Sequence, residues 1–265
     1  MTDKRIEDLA SAEALDEGRV FIGKRRAKRG DVVREGDEVR VNERRDVEAT
    51  VTFLHRDARL VAVDKPAGIA TVPDTRDAHN SLVHRVAREL RVSPESLHVT
   101  SRLDRGVSGV VIFALSATAR DDLQNARNSG RYFRRYAAIA ARAPEPREGE
   151  WTAPVAGKPS RSKYRVVAVA PRGALLAVDP VTGRTHQIRI HASGARSPLL
   201  GDREHGGSRT LVLPSGKVLA LERIALHCAR VAVEGIIDVR APVPEELRAW
   251  WIAIGGEDAA WSALD

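Results

Sequence analysis

Thr182-Gly183-Arg184-Thr185-His186-Gln187-Ile188-Arg189-Ile190-His191 is the stretch on which the reading of this chain turns. Gly183 permits a sharp turn, and the Thr185 hydroxyl is suited to cap a short helix beyond it. On that helix His186 and Arg189, three apart, share one face; Gln187 and His191, four apart, share another. Arginine and backbone N–H groups at a helix start bind anions, so phosphate binding explains the pattern as readily as catalysis does. Metal binding is not expected: no acid lies in the stretch, and the eight histidines show no zinc-like spacing. A second informative segment is Thr100-Ser101-Arg102-Leu103-Asp104-Arg105-Gly106-Val107-Ser108-Gly109, directly before the apolar run Val110 to Leu115. Nearby cations favour an ionised carboxylate, so Asp104 between Arg102 and Arg105 is expected to stay charged. An isolated aspartate in such a turn is ordinarily a surface ion pair or a turn cap. A persistently ionised one can also serve as nucleophile or base.

Around these segments the chain alternates strands and turns. Arg59 to Asp64 reads as a strand closed by Lys65-Pro66-Ala67-Gly68. Leu82, Val83, Val86, Ala87 and Leu90 give residues 81–90 helical spacing. The runs 110–115, 136–140, 164–170 and 174–178 read as strands, most of them too continuously apolar to have a solvent side. Pro242 and Pro244 precede a closing helix with Trp250 and Trp251. Before Val47 the spacing predicts a helix over 6–17 that stops at Gly18, then short strands at 19–22 and 38–41 with a Gly36-Asp37 turn. An α+β protein with one main sheet is the expected class.

The 265 residues suffice for one large domain or two modest ones, and 43% apolar with 30% charged residues excludes wholesale disorder. The longest apolar runs are far too short to span a bilayer. Asp3, Glu7 and Asp8 stand where a secretory signal needs its apolar segment, and Cys228 is the single cysteine, so a cytoplasmic protein without disulfides or membrane association is expected. A monomer is expected as well. The formal charge of +7 is a mild excess, but it is segregated. Residues 19–29 hold Arg19, Lys24, Arg25, Arg26, Lys28 and Arg29 and no acid. Such patches displace counterions from phosphates, which makes nucleic acid the favoured partner.

The two quoted segments together resemble the RluA-type pseudouridine synthases. The family motif His-Arg-Leu-Asp-Arg-x-Thr-Ser-Gly is met by residues 101–109, and Gly-Arg-Thr-His-Gln-Ile-Arg-x-His is met without a gap by 183–191. Weaker matches follow in order: Asp64-Lys65-Pro66-Ala67-Gly68, Arg134-Arg135-Tyr136, Leu200-Gly201-Asp202, Leu226-His227-Cys228 and Ala241-Pro242-Val243-Pro244. The resemblance implies a pseudouridine synthase fold, with a mixed, mostly antiparallel sheet and a central RNA-binding cleft, over residues 49–265. Residues 1–48 resemble an abbreviated S4 RNA-binding unit. Carried over by position, the resemblance makes Asp104 the catalytic aspartate, Arg189 its partner, and Tyr136 the residue that stacks on the base and assists proton movement. Arg102 is matched to the arginine that holds the RNA open, with Arg105, Arg184, His186 and Gln187 in the RNA-binding cleft and Lys24, Arg25 and Arg26 in the N-terminal unit. Three positions depart from the pattern: Ser101 for histidine, Val107 for threonine, and His205 where tyrosine is usual.

The implied reaction converts uridine to pseudouridine in ribosomal or transfer RNA. The C1′–N1 bond breaks, the base rotates, and C1′ rejoins at C5. Nothing enters or leaves and no electron is transferred, so no metal or cofactor is called for. Asp104 can attack C1′, add to C6, or remove the C2′ proton, and the sequence does not choose among them. The target base must leave its stack, and an aromatic face such as Tyr136 is suited to receive it. A catalytically degenerate homologue that only binds RNA, suggested by Ser101 and Val107, and a metal-dependent hydrolase are the competing classes.

Overall fold

Neighbouring residues on the central strands serve opposite faces of the sheet, and those runs are apolar throughout for that reason. On the strand Tyr132–Ala140, Ala138 and Ala140 enter one buried cluster, while Ala137 and Ile139 enter another. The adjacent strand Gly173–Pro180 repeats the alternation, with Leu176 and Val178 on the first side and Leu175 and Ala177 on the second. A sheet covered on both faces has no solvent side to demand polar residues. The computed structural model describes residues 4–16, 20–23, 25–34, 36–41, 51–74, 80–213 and 216–264. Its main sheet has ten strands. From one edge the order is Glu148–Trp151, Ser162–Ala170, Gly173–Pro180, Tyr132–Ala140, Leu226–Val233, Ser108–Ala114, Leu60–Lys65 and Thr52–Arg56. Ile237–Arg240 pairs with Leu226–Val233, and His98–Val99 with Ser108–Ala114.

Every pairing in this sheet is antiparallel except one. Leu226–Val233 runs parallel to Ser108–Ala114, with His227 opposite Ser108 and Cys228 opposite Gly109. Gly109 takes φ +115°, and a Cβ there would lie 2.2 Å from the Cys228 carbonyl oxygen. Only glycine lets the chain make this seam, so the last residue of the first motif is fixed by backbone contact.

One face of the sheet is covered by the helices Leu82–Leu90 and Ala117–Asn128, through Leu82, Val83, Val86, Leu123 and Ala126. The helix Gln187–Gly194 packs on the same side through Ile188 and Ala192. Glu245–Ala253 covers the other face with Leu247, Trp250 and Trp251. The expected mixed, mostly antiparallel α+β architecture is therefore observed.

The N-terminal helix expected over 6–17 is broken. The chain forms a 3-10 turn at Ile6–Asp8 and a short α-helix at Ala12–Asp16. Ser11 interrupts the run, because its hydroxyl oxygen accepts the Ala14 N–H and starts a new helix. Val20–Ile22 pairs with Arg25–Arg26 and Val39–Val41, and Lys4–Arg5 pairs with Val32–Val33. Ile6, Ala14, Leu15, Val20, Ala27 and Val33 form a small cluster of their own. Among the described residues no helix is long and apolar enough to cross a membrane.

Candidate active site

The Asp104 loop is clamped from below by the loop that follows Leu60–Lys65. Lys65 is fully buried, and its ammonium donates to the carbonyls of Ile69 at 2.8 Å, Pro66 at 3.0 Å and Arg105 at 3.4 Å. Gly68 N–H donates to the Arg105 carbonyl, while the Thr71 hydroxyl donates to the Leu103 carbonyl and accepts the Leu103 N–H. Burial, then the Arg223 charge, pushes the Lys65 ammonium down to about 7, against the pull of Asp104 and Asp64. Lys65→Met keeps most of the apolar stem but leaves these buried carbonyls without their donor. It is expected to lower stability by about 2 kcal/mol or more in urea unfolding. Between pH about 7 and 10 the unfolded Lys65 binds a proton that the folded one has released, so stability from this group rises with pH. The wild-type advantage over the variant therefore grows as the pH is raised across that window.

Above this clamp, Asp104 faces Arg189. Arg189 Nη1 donates to Asp104 Oδ2 at 3.0 Å. On the far side of the guanidinium Asp202 takes a two-pronged grip, accepting from Nε at 2.8 Å and Nη2 at 2.7 Å, and Glu204 Oε2 accepts from Nη2 at 2.8 Å. The Arg189 side chain is 5% exposed and that of Asp202 1%, whereas Asp104 is 28% exposed. Burial opposes the guanidinium charge, but the hydrogen bonds it donates to Asp202 and Asp104 outweigh this and hold the pKa above its ordinary value. The hydrogen bond from Arg189 likewise holds the Glu204 carboxyl below its usual range. Arg189 is thus a fixed cation, braced from behind and offering one N–H to a carboxylate open to a cleft.

Asp104 takes its hydrogen bond from Arg189, the partner the resemblance implies, and not from the arginines that flank it in the sequence. Arg105 turns to Asp74, donating to both carboxylate oxygens at 2.8 Å and to the Gly68 carbonyl at 3.1 Å. Arg102 is exposed on the cleft wall. The two further counter-charges of Arg189, Asp202 and Glu204, carry no role in the sequence reading, although Asp202 stands in the Leu200-Gly201-Asp202 match. Asp202 and Glu204 are the first acids after Arg189 in the chain, and a buried arginine must find a carboxylate. Gly201 makes that turn possible: its φ is +77°, and a Cβ would fall 1.8 Å from the Arg223 carbonyl oxygen.

The second motif folds as a turn and helix, but Thr185 does not cap it. His186 is the N-cap residue, in the left-handed conformation at φ 57°, without a side-chain cap. That backbone brings its ring to the site, with Nε2 3.8 Å from Asp104 Oδ2 and Nδ1 3.1 Å from His205 Nε2. Gln187, expected to touch RNA, is buried and occupied. Its Oε1 accepts from Thr182 Oγ1 and the Arg184 N–H, and its Nε2 donates to the Arg161 carbonyl and Ser162 Oγ. With all its hydrogen-bonding capacity used, Gln187 builds the turn rather than reading a base. Arg184 is exposed at the rim.

These groups share a cleft of about 600 Å³, lined also by Tyr136, Arg134, Arg127 and Leu226. Tyr136 is 7% exposed, and burial, followed by its Cys228 neighbour, holds the phenol well above its ordinary pKa, so it stays protonated. Ser101 lines the cleft, and so does Val107, whose side chain is otherwise buried in the main core. Of the N-terminal basic residues, Lys24 lies outside the described residues, as does the side chain of Arg26. Arg25 is paired with Asp31 at 2.8 Å, an acid just beyond the unopposed run.

The same residues carry the kinship of the chain. Residues 59–194 match the family model described as RNA pseudouridylate synthase, a span holding Asp104, Tyr136 and Arg189. The chain is 30% identical over 203 residues to the dual-specificity RNA pseudouridine synthase RluA of Salmonella typhimurium, covering 70% of this chain and 88% of that one. It is 28% identical over 247 residues to the uncharacterized RNA pseudouridine synthase YhcT of Bacillus subtilis, covering 82% and 79%. Among solved structures, human RNA pseudouridylate synthase domain containing 4 superposes with a TM-score of 0.60 at 20% identity, over 77% of this chain and 92% of that chain. The human domain containing 1 gives 0.60 at 18% identity, over 81% and 94%. With the sheet, the cleft and the two motifs all in register, the chain belongs to the RNA pseudouridylate synthase family, enzymes that isomerise uridine to pseudouridine in RNA.

Proposed function

We propose that Asp104 is the catalytic carboxylate of this enzyme, acting on a uridine extruded from structured ribosomal or transfer RNA. The observation that carries the proposal is the 3.0 Å contact between Asp104 Oδ2 and an Arg189 guanidinium already gripped by buried Asp202. Preorganised charge costs no reorganisation when the reaction occurs, and Arg189 has nowhere else to go. Arg189 aims Asp104 and holds its negative charge at the sugar or base. Tyr136, protonated on the cleft floor, offers a flat face to the base and a proton at its hydroxyl. Arg102, Arg184 and His186 border the same opening, where phosphates of the displaced strand would lie.

The test is pseudouridine mapping by carbodiimide and primer extension on ribosomal and transfer RNA from cells with and without the gene. A uridine that loses its modification without the gene, and regains it in vitro with purified enzyme, is the expected result. Unchanged maps in both RNA classes would refute the substrate assignment.

Residues 1–48 are proposed as an S4-like unit that adds affinity, in a monomeric cytoplasmic enzyme. Its own apolar cluster and its basic segment support this. Neutralising Lys24, Arg25 and Arg26 should weaken RNA binding and flatten its salt dependence by up to about 2 in log–log slope, at roughly 0.7 per phosphate contact. Turnover at saturating RNA should hardly change, since Asp104, Tyr136 and Arg189 are untouched. A collapse of saturated turnover would instead place the unit in the active site.

A further inference from the structure

Three side chains beside Asp104 converge on one point, and only one of them, Glu204, is also hydrogen-bonded to Arg189. His186 Nδ1 lies 3.1 Å from His205 Nε2 and 3.4 Å from Glu204 Oε1, and His205 Nε2 lies 4.0 Å from the same Glu204 oxygen. Zinc bonds of about 2.0–2.1 Å set tetrahedral ligand atoms roughly 3.3 Å apart, close to this triangle. Two imidazoles with one carboxylate are donors that suit zinc and similar borderline-soft divalent ions. The surroundings match as well. The other Glu204 oxygen is fixed by Arg189, and the other His186 nitrogen faces Asp104 at 3.8 Å, the outer partners that orient ligands in metal sites. Three carboxyl groups, Asp104, Asp202 and Glu204, face the one guanidinium of Arg189, leaving anionic character in excess for a dication to neutralise.

We infer that His186, Glu204 and His205 form a site for a zinc-type divalent ion, and that an ion bound there inhibits the neighbouring Asp104. Linear spacing concealed the trio, because His186 stands on the second motif and His205 on the turn after Gly201. His205 is the position where the resemblance carries tyrosine, so the family pattern itself offers no imidazole there. The inhibitory effect follows from the tautomer. With Nδ1 on the ion, the proton of His186 resides on Nε2, aimed at Asp104 Oδ2. The carboxylate then faces, besides Arg189, an imidazole N–H polarised by the positive charge of the ion, and its reactivity as nucleophile or base falls. The ion takes no part in the isomerisation.

The inhibitory half rests on the proposed role of Asp104; the binding half does not, and the experiment separates them. Purified full-length protein is titrated with Co²⁺ while the visible absorption of tetrahedral cobalt is recorded, and with Zn²⁺ by calorimetry. One ion per chain is expected, with affinity at least tenfold weaker in both His205→Tyr and His205→Gln, each first shown to be folded by its circular dichroism. Zn²⁺ is then added to the pseudouridine assay, and the rate with and without it is compared within each protein. The wild type should slow at least tenfold and recover with chelator, while the ratio for the variants stays near one. Absence of saturable binding, or binding unchanged in both variants, overturns the site. Stoichiometric binding with no effect on the rate overturns the inhibition. A wild type inactive on all RNA refutes the proposed function instead, and the cobalt spectrum still decides the site.

Discussion

Asp104→Asn is expected to abolish pseudouridine formation, by roughly 10⁴-fold, while folding and RNA affinity are largely kept. Asparagine has nearly the same shape, so the Lys65 and Thr71 clamp beneath the loop has no reason to move. What disappears is the negative charge that faces the cleft and the N–H of Arg189. An amide is a poor nucleophile and a poor base, so each of the three chemical roles open to the carboxylate fails equally. The measurement is single-turnover formation of pseudouridine on a mapped substrate, with binding followed separately. Near-normal turnover would show that the carboxylate is structural.

Arg189→Lys keeps the charge and loses the geometry. A lysine ammonium cannot bind Asp202 with two parallel bonds and at the same time offer a third N–H to Asp104. Turnover is expected to fall by roughly a hundredfold or more, the scale of losing a preorganised electrostatic partner. Adding Asp104→Asn to this variant should then cost little beyond what Asp104→Asn costs alone, because the two residues act as one unit. Losses that multiply independently across the cycle would refute the pairing.

The main sheet was legible because its strands are covered on both faces: Val110 to Leu115 is apolar without a break and emerges as Ser108–Ala114. The helix Leu82–Leu90 was legible from the opposite circumstance, a single apolar stripe. Both motifs carried Asp104 and Arg189 into one cleft, as their resemblance implied. What sequence proximity could not supply was the pairing. Arg105 adjoins Asp104 in the chain, yet its reach takes it to Asp74, while the true partner is 85 residues away. Gln187 looks like a base-reading amide and is consumed by the turn it supports, since side-chain direction at a helix start depends on the cap. Thr185 was the natural cap, but the left-handed conformation of His186 displaced that role by one residue. The helix expected over 6–17 failed because a single serine hydroxyl competes with the backbone, and apolar periodicity is blind to that competition.

The parallel seam between Ser108–Ala114 and Leu226–Val233 sets a timetable for biosynthesis. Ser108 and His227, which face each other and are joined by a 2.8 Å hydrogen bond, lie 119 residues apart in the chain. At about 5–20 residues per second, a ribosome needs roughly 6–24 s to deliver the second strand after the first. Until then the strand that follows the Asp104 loop has its antiparallel partners Leu60–Lys65 and His98–Val99 but lacks the parallel partner at the seam, with seven residues destined for complete burial. Such an edge is a template for unwanted pairing, and the nascent chain is most vulnerable to aggregation in that interval. The proposed catalytic pair likewise cannot be braced before Arg189, Asp202 and Glu204 have been made, so a translation product truncated ahead of them would lack that pair as well as being sticky.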